Sequence, residues 1–337
     1  TGLGNFILKT PMIKKIKELY PECNIDIITG NSFGAEFVLQ ESNLINKTYI
    51  IKENSSLLYK VKFFTTLKKE NYDAFFLAFD ANSSFLFFGS YLAGIKSRVV
   101  HINLRSKIKT LFFLSMPTTL VVPLVQGRHE IDLNYDLLES YNNKPMNREY
   151  QTIINNTKDK SILEKFKLNE YKYITLQIGA ANGTESAKKW SIDNFKKLIE
   201  ELNKSYSEYT VVTVGDKGDY EIDIKQLENI GLDFTNTAGL TTIDEVANIL
   251  YYSKVVIAND SGIMHIANAL NCNLIALYGP TDYTRTRPLG EKSTILYSKT
   301  DCFCKMYNFS GNESEFLKLY PNCMDGIKIE KVINKIK

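Results

Sequence analysis

The residues best suited to chemistry sit in short turns that follow apolar runs. The most concentrated example is Val255-Val256-Ile257-Ala258-Asn259-Asp260-Ser261-Gly262-Ile263-Met264-His265, continued by Ile266-Ala267-Asn268-Ala269-Leu270. Four apolar residues in a row read as a buried strand, and Ile266 onward reads as a helix. Ser261 can cap that helix, and Gly262 lets backbone come close to a ligand. A helix N-terminus here aims its N–H groups and the positive end of its dipole at an anion. The diphosphate of a nucleotide-sugar is the expected occupant of Asp260, Ser261 and Gly262; a strand-to-helix turn without a ligand is the plain alternative.

Two further turns are built alike. Gln177-Ile178-Gly179-Ala180-Ala181-Asn182-Gly183-Thr184 leads to Lys188-Lys189-Trp190-Ser191. Gly183 and the Thr184 hydroxyl suit phosphate oxygens, and Lys188 supplies a point charge, unless the lysines are simply solvated. Trp190 reads as an anchor for the next helix. Gly279-Pro280-Thr281-Asp282 either shapes the edge of a site or makes a tight turn. His265, one turn into its helix, is placed equally well for ligand contact and for packing.

These turns need a scaffold, and the chain has room for one. Its 337 residues, 44% hydrophobic and 23% charged with a net charge of +3, fit two domains with full cores. The charge is too small to argue for nucleic acid. No charged-then-apolar leader opens the sequence, and Leu111 to Val125 is short and interrupted by Pro117 and Pro123, so it does not read as a membrane span. Five cysteines without an even framework point to a reducing, cytoplasmic setting.

Periodicity predicts a helix from Phe6 to Tyr20, strands at Asn24–Thr29, Thr48–Ile51, Ala74–Phe79 and Ser97–Ile102, and helices near Phe33–Leu39, Leu57–Lys69, Ser83–Leu92 and His129–Tyr141. A glycine turn opening into a helix ordinarily follows a strand, so a strand is expected ahead of Thr1. From Asn103 to Gln126 the pattern dissolves into Arg105, Lys107 and Lys109, then Leu111-Phe112-Phe113-Leu114. That segment reads as a buried connection, with a resting place on a membrane surface as the alternative. Polar Asn142 to Thr157 is the expected linker.

Alternation then restarts, with strands at Tyr173–Ile178, Tyr209–Val214, near Phe234, at Val255–Ala258 and at Asn273–Leu277. Helices are expected at Ser191–Leu202, Ile222–Leu227, Ile243–Leu250 and Ile327–Ile336. Strands alternating with helices make an α/β chain with parallel sheets covered on both faces. The expected division is one domain over 1–150, a second over 151–325, and a C-terminal helix, 326–337, packing back on the first domain.

In this order and spacing the motifs resemble glycosyltransferase family 9, the heptosyltransferases of lipopolysaccharide core synthesis. Gly2-Leu3-Gly4-Asn5 with Thr10-Pro11 looks like the family's first glycine loop, Tyr72-Asp73 leads into a strand like its central N-domain strand, and Gly179 to Ser191 looks like its second glycine loop. Thr237-Ala238-Gly239-Leu240-Thr241 through Ala247, Asn259 to His265, and Leu277 to Asp282 resemble its most specific region. The resemblance implies the GT-B architecture of two Rossmann-like domains, the first taking the acceptor and the second the donor, and inverting transfer without a nucleotide-chelating metal. It further implies an ADP-heptose donor and a lipid-linked or oligosaccharide acceptor, with peripheral contact at the inner membrane. It places the diphosphate on Thr184, Lys188, Ser261 and Gly262, beside Gly183 and His265, and the sugar hydroxyls on Asp260. Metal independence agrees with the lack of an Asp-x-Asp pair. No cofactor beyond the nucleotide-sugar substrate is expected.

One departure bears on mechanism. The family usually has Gly-Asp where this chain has Gly4-Asn5, and that Asp is the proposed general base. An Asn amide cannot take a hydroxyl's proton near neutral pH, although it can orient the hydroxyl. Either another group serves, with Asp80 first and His129 second, or the sugar pair differs, or the chain binds a nucleotide-sugar without transfer. Asp80 also fits a helix cap. A two-domain epimerase is a further alternative, but no carboxylates around a reacting carbon can be located for it. Cys302-Phe303-Cys304 and Cys323 resemble remnants of a family cysteine cluster; their spacing is poor for zinc, and plain thiols are expected. Cys23 and Cys272 read as structural.

Overall fold

The computed structural model describes residues 2–30, 37–39, 42–52, 54–79, 84–102, 119–125, 127–180, 187–299, 301, 305–306, 313–321 and 323–336. The chain divides into two units, Thr1–Thr152 and Ile153–Lys337.

The first unit opens with two helices, α1 (Leu3–Ile7) and α2 (Thr10–Leu19), where the spacing predicts one. Pro11 explains the break. It has no N–H to offer the Ile7 carbonyl, and the Thr10 hydroxyl bonds that oxygen instead at 2.8 Å. Strand β1 (Asp26–Thr29) pairs in parallel with β2 (Lys47–Ile50). Strands β3 (Ala74–Leu77), β4 (Ser97–Ile102) and β5 (Thr119–Pro123) form a second parallel group in that order. Between them run α3 (Leu57–Leu67) and α4 (Ser84–Leu92), followed by α5 (Glu130–Asn142).

Helix α5 is held by charge. Arg148 grips Glu139 with two bonds of 3.0 and 2.7 Å, Asp136 at 2.7 Å and Asp132 at 3.0 Å. Those three carboxylates line one side of the helix at i, i+4 and i+7 spacing, which only a fork-shaped cation can satisfy together.

The second unit is a single six-stranded parallel sheet in the order β11-β10-β9-β6-β7-β8. Its strands are β6 (Tyr173–Gln177), β7 (Thr210–Val214), β8 (Thr235–Asn236), β9 (Val255–Asn259), β10 (Leu274–Tyr278) and β11 (Ser293–Tyr297). Every residue of β6, β9 and β10 is buried, as expected for strands covered on both faces. The main helices of this unit are α6 (Ser161–Lys165), α7 (Ile192–Ser205), α8 (Ile243–Tyr251), α9 (Gly262–Ala269) and α10 (Ile329–Ile333).

Ile327, Val332 and Ile336, expected to pack on the first domain, lie in the core of the second unit with Leu198 and Leu202 of α7. Their apolar side is therefore consumed by α7. The segment Arg105–Leu114 lies outside the described residues.

Candidate active site

Strand order fixes where a ligand belongs. The second sheet grows outward from β6 through β7 to β8 on one side and from β9 through β10 to β11 on the other. Between β6 and β9 the direction reverses, and the crevice beyond their carboxyl ends is where open α/β sheets bind ligands. The turns after β6 and β9 are the two that the sequence singles out.

Asn259, fully buried at the end of β9, braces them. Its side-chain amide donates to the carbonyls of Ile178 and Gly179 at 2.9 and 3.0 Å and accepts from the Trp190 N–H at 3.1 Å. Trp190 is itself fully buried, with its indole N–H on the Ile327 carbonyl at 3.1 Å and its ring edge-on to Phe195. It anchors the start of α7, as its sequence context suggests.

That brace brings Lys188 to Asp260. The ammonium stands 3.2 Å from Oδ2, with the carboxylate side chain 8% exposed and the lysine side chain 30% exposed. The same oxygen accepts the Thr281 hydroxyl at 2.9 Å, which joins the turn after β10 to the other two. Three turns distant in sequence thus converge on one buried carboxylate, with the lysine side chain 30% exposed beside it.

Ser261 caps α9, accepting from the Met264 N–H at 3.4 Å. Its own proton goes to Gln177 Oε1 at 3.1 Å. The hydroxyl is committed to the scaffold, and what the turn offers an anion is the backbone N–H groups of the first helical turn around Gly262. His265 is 4% exposed, within the packed part of the helix. Gly183 and Thr184 lie outside the described residues.

The sequence reading passed over Asp219. Its carboxylate closes a capping box with Asp216, accepting from the Asp216 N–H at 3.0 Å. It fills the space over two glycines: a Cβ at Gly179 would stand 1.7 Å from Asp219 Oδ1, and one at Gly215 would stand 2.6 Å from Oδ2. Burial pushes this carboxyl up to about 6, helped by the neighbouring charges of Asp216 and Asp223 and opposed by the Asp216 N–H. The signal available in sequence was Gly215-Asp216 directly after a strand.

Nearby, Lys189 pairs with buried Asp223 at 2.5 Å, so it is a structural tie rather than a solvated charge. A cavity of about 600 Å³ opens past the ends of β7 and β8, lined by Lys217, Tyr220, Glu228, Asn236, Gly239 and Leu240 among others. Gly239 takes a positive φ of 73° there, and Lys217 Cα would sit 3.2 Å from any Cβ.

In the first unit, Asn5 lies within α1, and its carbonyl accepts the ammonium of buried Lys9 at 2.9 Å. His129 is buried, and its Nδ1 accepts the Ile131 N–H at 3.2 Å as the cap of α5. That nitrogen's lone pair serves the helix and not a substrate. Asp80 lies outside the described residues.

Cys23 and Cys272 carry free thiols, and burial pushes the Cys272 thiol up to about 12, which keeps it unreactive. Cys323 is buried and disulfide-bonded, against the expectation of a plain thiol; Cys302 and Cys304 lie outside the described residues. Among the described residues no cluster of His, Cys, Asp and Glu is arranged to hold a metal ion.

The sequence profile of glycosyltransferase family 9 (heptosyltransferase) matches residues 60–311. The chain belongs to this family. Among family 9 relatives, lipooligosaccharide heptosyltransferase 2 of Haemophilus influenzae is 28% identical over 313 residues, covering 87% of this chain and 85% of that one. The fold is that of solved GT-B heptosyltransferases. It matches the ADP-heptose lipopolysaccharide heptosyltransferase II of Escherichia coli with a TM-score of 0.73 at 20% identity, over 99% of this chain and 95% of that one. It also matches a family 9 glycosyltransferase of Veillonella parvula with a TM-score of 0.76 at 17% identity, over 99% and 93%. This family 9 protein is a glycosyltransferase, and no described helix is long and apolar enough to cross a membrane.

Proposed function

We propose that the protein moves a heptose from ADP-heptose to a lipopolysaccharide or lipooligosaccharide core acceptor, inverting the anomeric centre without a nucleotide-chelating metal. The observation that carries this reading is the convergence of Lys188, Asp260 and Thr281 at the reversal point of the sheet. The acceptor class is the one named for the heptosyltransferase 2 and 3 relatives, and the donor is the one named for the solved Escherichia coli ADP-heptose lipopolysaccharide heptosyltransferase II.

In this reading the diphosphate lies against the amino end of α9 and the Lys188 ammonium, with Gly183 and Thr184 beside it. The nucleoside reaches towards the cavity past β7 and β8, and Asp260 meets the sugar hydroxyls. The acceptor oxygen attacks the anomeric carbon as its bond to the β-phosphate oxygen breaks. Charge grows on departing ADP, and Lys188 with the helix dipole is placed to stabilise it. Asp260 holds Lys188 in position. The acceptor's proton must go elsewhere than the Asn5 amide, and Asp80 is the side chain we assign to it. The donor comes from the cytoplasm, and a lipid-linked acceptor brings the protein to the inner face of the membrane.

The test incubates the protein with ADP-heptose and heptose-deficient core oligosaccharide. ADP release is followed together with the acceptor's mass, and the new linkage is assigned by NMR. A heptose-sized mass gain with inverted configuration is expected. Donor binding without any mass gain would overturn the proposal in favour of a nucleotide-sugar-binding protein, the reading that Asn5 favours.

A further inference from the structure

Helix α3 follows β2, so its first turn lies beyond the carboxyl ends of the first unit's parallel strands, the side on which such sheets meet their ligands. That turn opens with three consecutive large residues in solvent: Leu57, Leu58 and Tyr59 are 67, 80 and 50% exposed. The opposite side of the helix is satisfied, with Phe64 and Leu67 in a core with Ile51, Ala93 and Ile95. A helix apolar on both sides at the surface of a folded unit has a second apolar environment to meet. The adjoining α4 runs in the same direction, so its own exposed pair, Phe88 and Tyr91, lies towards the far end of α3 and is no part of this patch. Phe64 lies over Gly89, where a Cβ would come within 2.3 Å of the ring, so the two helices are locked side by side.

Charge selects the occupant. From residue 51 to 69 the chain carries Lys52, Lys60, Lys62, Lys68 and Lys69 against Glu53 alone. Lys52 and Lys62 are exposed, and Lys60 lies over the Phe85 ring at 5.5 Å. A second copy docked on this face about a two-fold axis would oppose lysine to lysine. A bilayer with anionic headgroups takes the leucines below the headgroups and the ammonium groups among them.

We propose that the first turn of α3 is the surface by which this protein rests on an anionic lipid bilayer. The inference builds on the transferase reading above in one respect: it gives the lipid end of the acceptor a place to remain while its sugar end is presented.

The full chain is sedimented with vesicles of phosphatidylglycerol and phosphatidylcholine, and with vesicles of phosphatidylcholine alone. Preferential binding to the anionic vesicles is expected. Leu57→Ser with Leu58→Ser should lower the partition at least about tenfold. Lys52→Gln and Lys62→Gln should each lower it roughly fivefold, with the effect shrinking as salt rises. Circular dichroism melts identify any variant that fails to fold. Absence of wild-type binding, or an unchanged partition in the leucine variant, would overturn the proposal. So would a concentration-dependent dimer abolished by the same variant in place of vesicle binding. Vesicle binding requires no sugar chemistry, so it stands or fails separately from the transfer assay; the leucine variant should retain transfer to a detergent-free, soluble core oligosaccharide.

Discussion

If Asp260 acts by holding Lys188, removing either should undo the same interaction. Lys188→Ala deletes the cation proposed to face the departing diphosphate, for which an effect of about 10²- to 10³-fold on kcat/KM is expected. Asp260→Ala removes the carboxylate 3.2 Å from that cation and 2.9 Å from the Thr281 hydroxyl, freeing the lysine and the turn after β10 together. Misplacement of a catalytic charge by about 1 Å costs on the order of 10²-fold, or about 2.7 kcal/mol. Once Lys188 is absent, the positional part of the Asp260 effect has nothing left to act on. The double variant should then lie within about tenfold of the worse single variant, a coupling of about 1.4 kcal/mol or more. Steady-state ADP release, measured for the four proteins at one pH and salt concentration, gives the cycle directly. Multiplicative losses, with the double variant down by the full product of the two single losses, would refute the positioning role and leave Asp260 acting independently on the sugar. Thermal melts belong in the same experiment, because Asp260 accepts a charge-assisted bond and a neutral one. Its loss should cost about 2 kcal/mol of stability.

Two further perturbations test the scaffold. Burial raises the Asp219 carboxyl to about 6 from an ordinary value of 3.8, so across that window the folded state holds a proton the unfolded state has released. Stability from this group therefore falls as pH rises from about 4 to 6 and levels off above. The melting temperature of Asp219→Asn minus that of wild type should rise across that window; a difference that stays constant or falls would contradict the burial of this carboxyl. Arg148→Ala strands Asp132, Asp136 and Glu139 beside one another on α5. A loss of about 3 kcal/mol is expected in urea unfolding of the first unit, and a loss under about 1 kcal/mol would show that solvent screens the cluster.

The second unit was legible because its strands are near-continuous apolar runs ended by glycine-rich turns, as at Val255–Asn259 and Leu274–Tyr278. Strands β5 and β11 were not. Pro123 ends the first, and Ser293–Tyr297 is a half-buried edge strand without the continuous apolar burial of the central strands. Pattern alone placed Lys188, Asp260 and Thr281 in three separate turns, and nothing local says that they meet. Only the crossover order of β6, β9 and β10 brings them together. Asp219 was hard to read for a related reason: its role depends on the absence of side chains at Gly215, four residues before it, and at Gly179, in the turn after β6.

The two units differ in how their candidate residues are held. On the donor side, Asn259, Trp190, Gln177 and Thr281 are all spent on holding turns in place, so the groups facing a diphosphate need not reorganise as charge develops. On the acceptor side, the two described candidates for taking a proton are both occupied or unfit: His129 Nδ1 caps α5, and Asn5 carries an amide. A weakly based displacement is still workable when the leaving group departs early. With bond breaking ahead of bond making, the sugar carries positive charge at the transition state, and the attacking hydroxyl becomes strongly acidic only as its new bond completes. Proton removal then comes late, and a group that orients the hydroxyl contributes more than one that abstracts its proton early. The rigidity built around Lys188 favours that order of events, because stabilising the departing ADP is the step that such an arrangement accelerates.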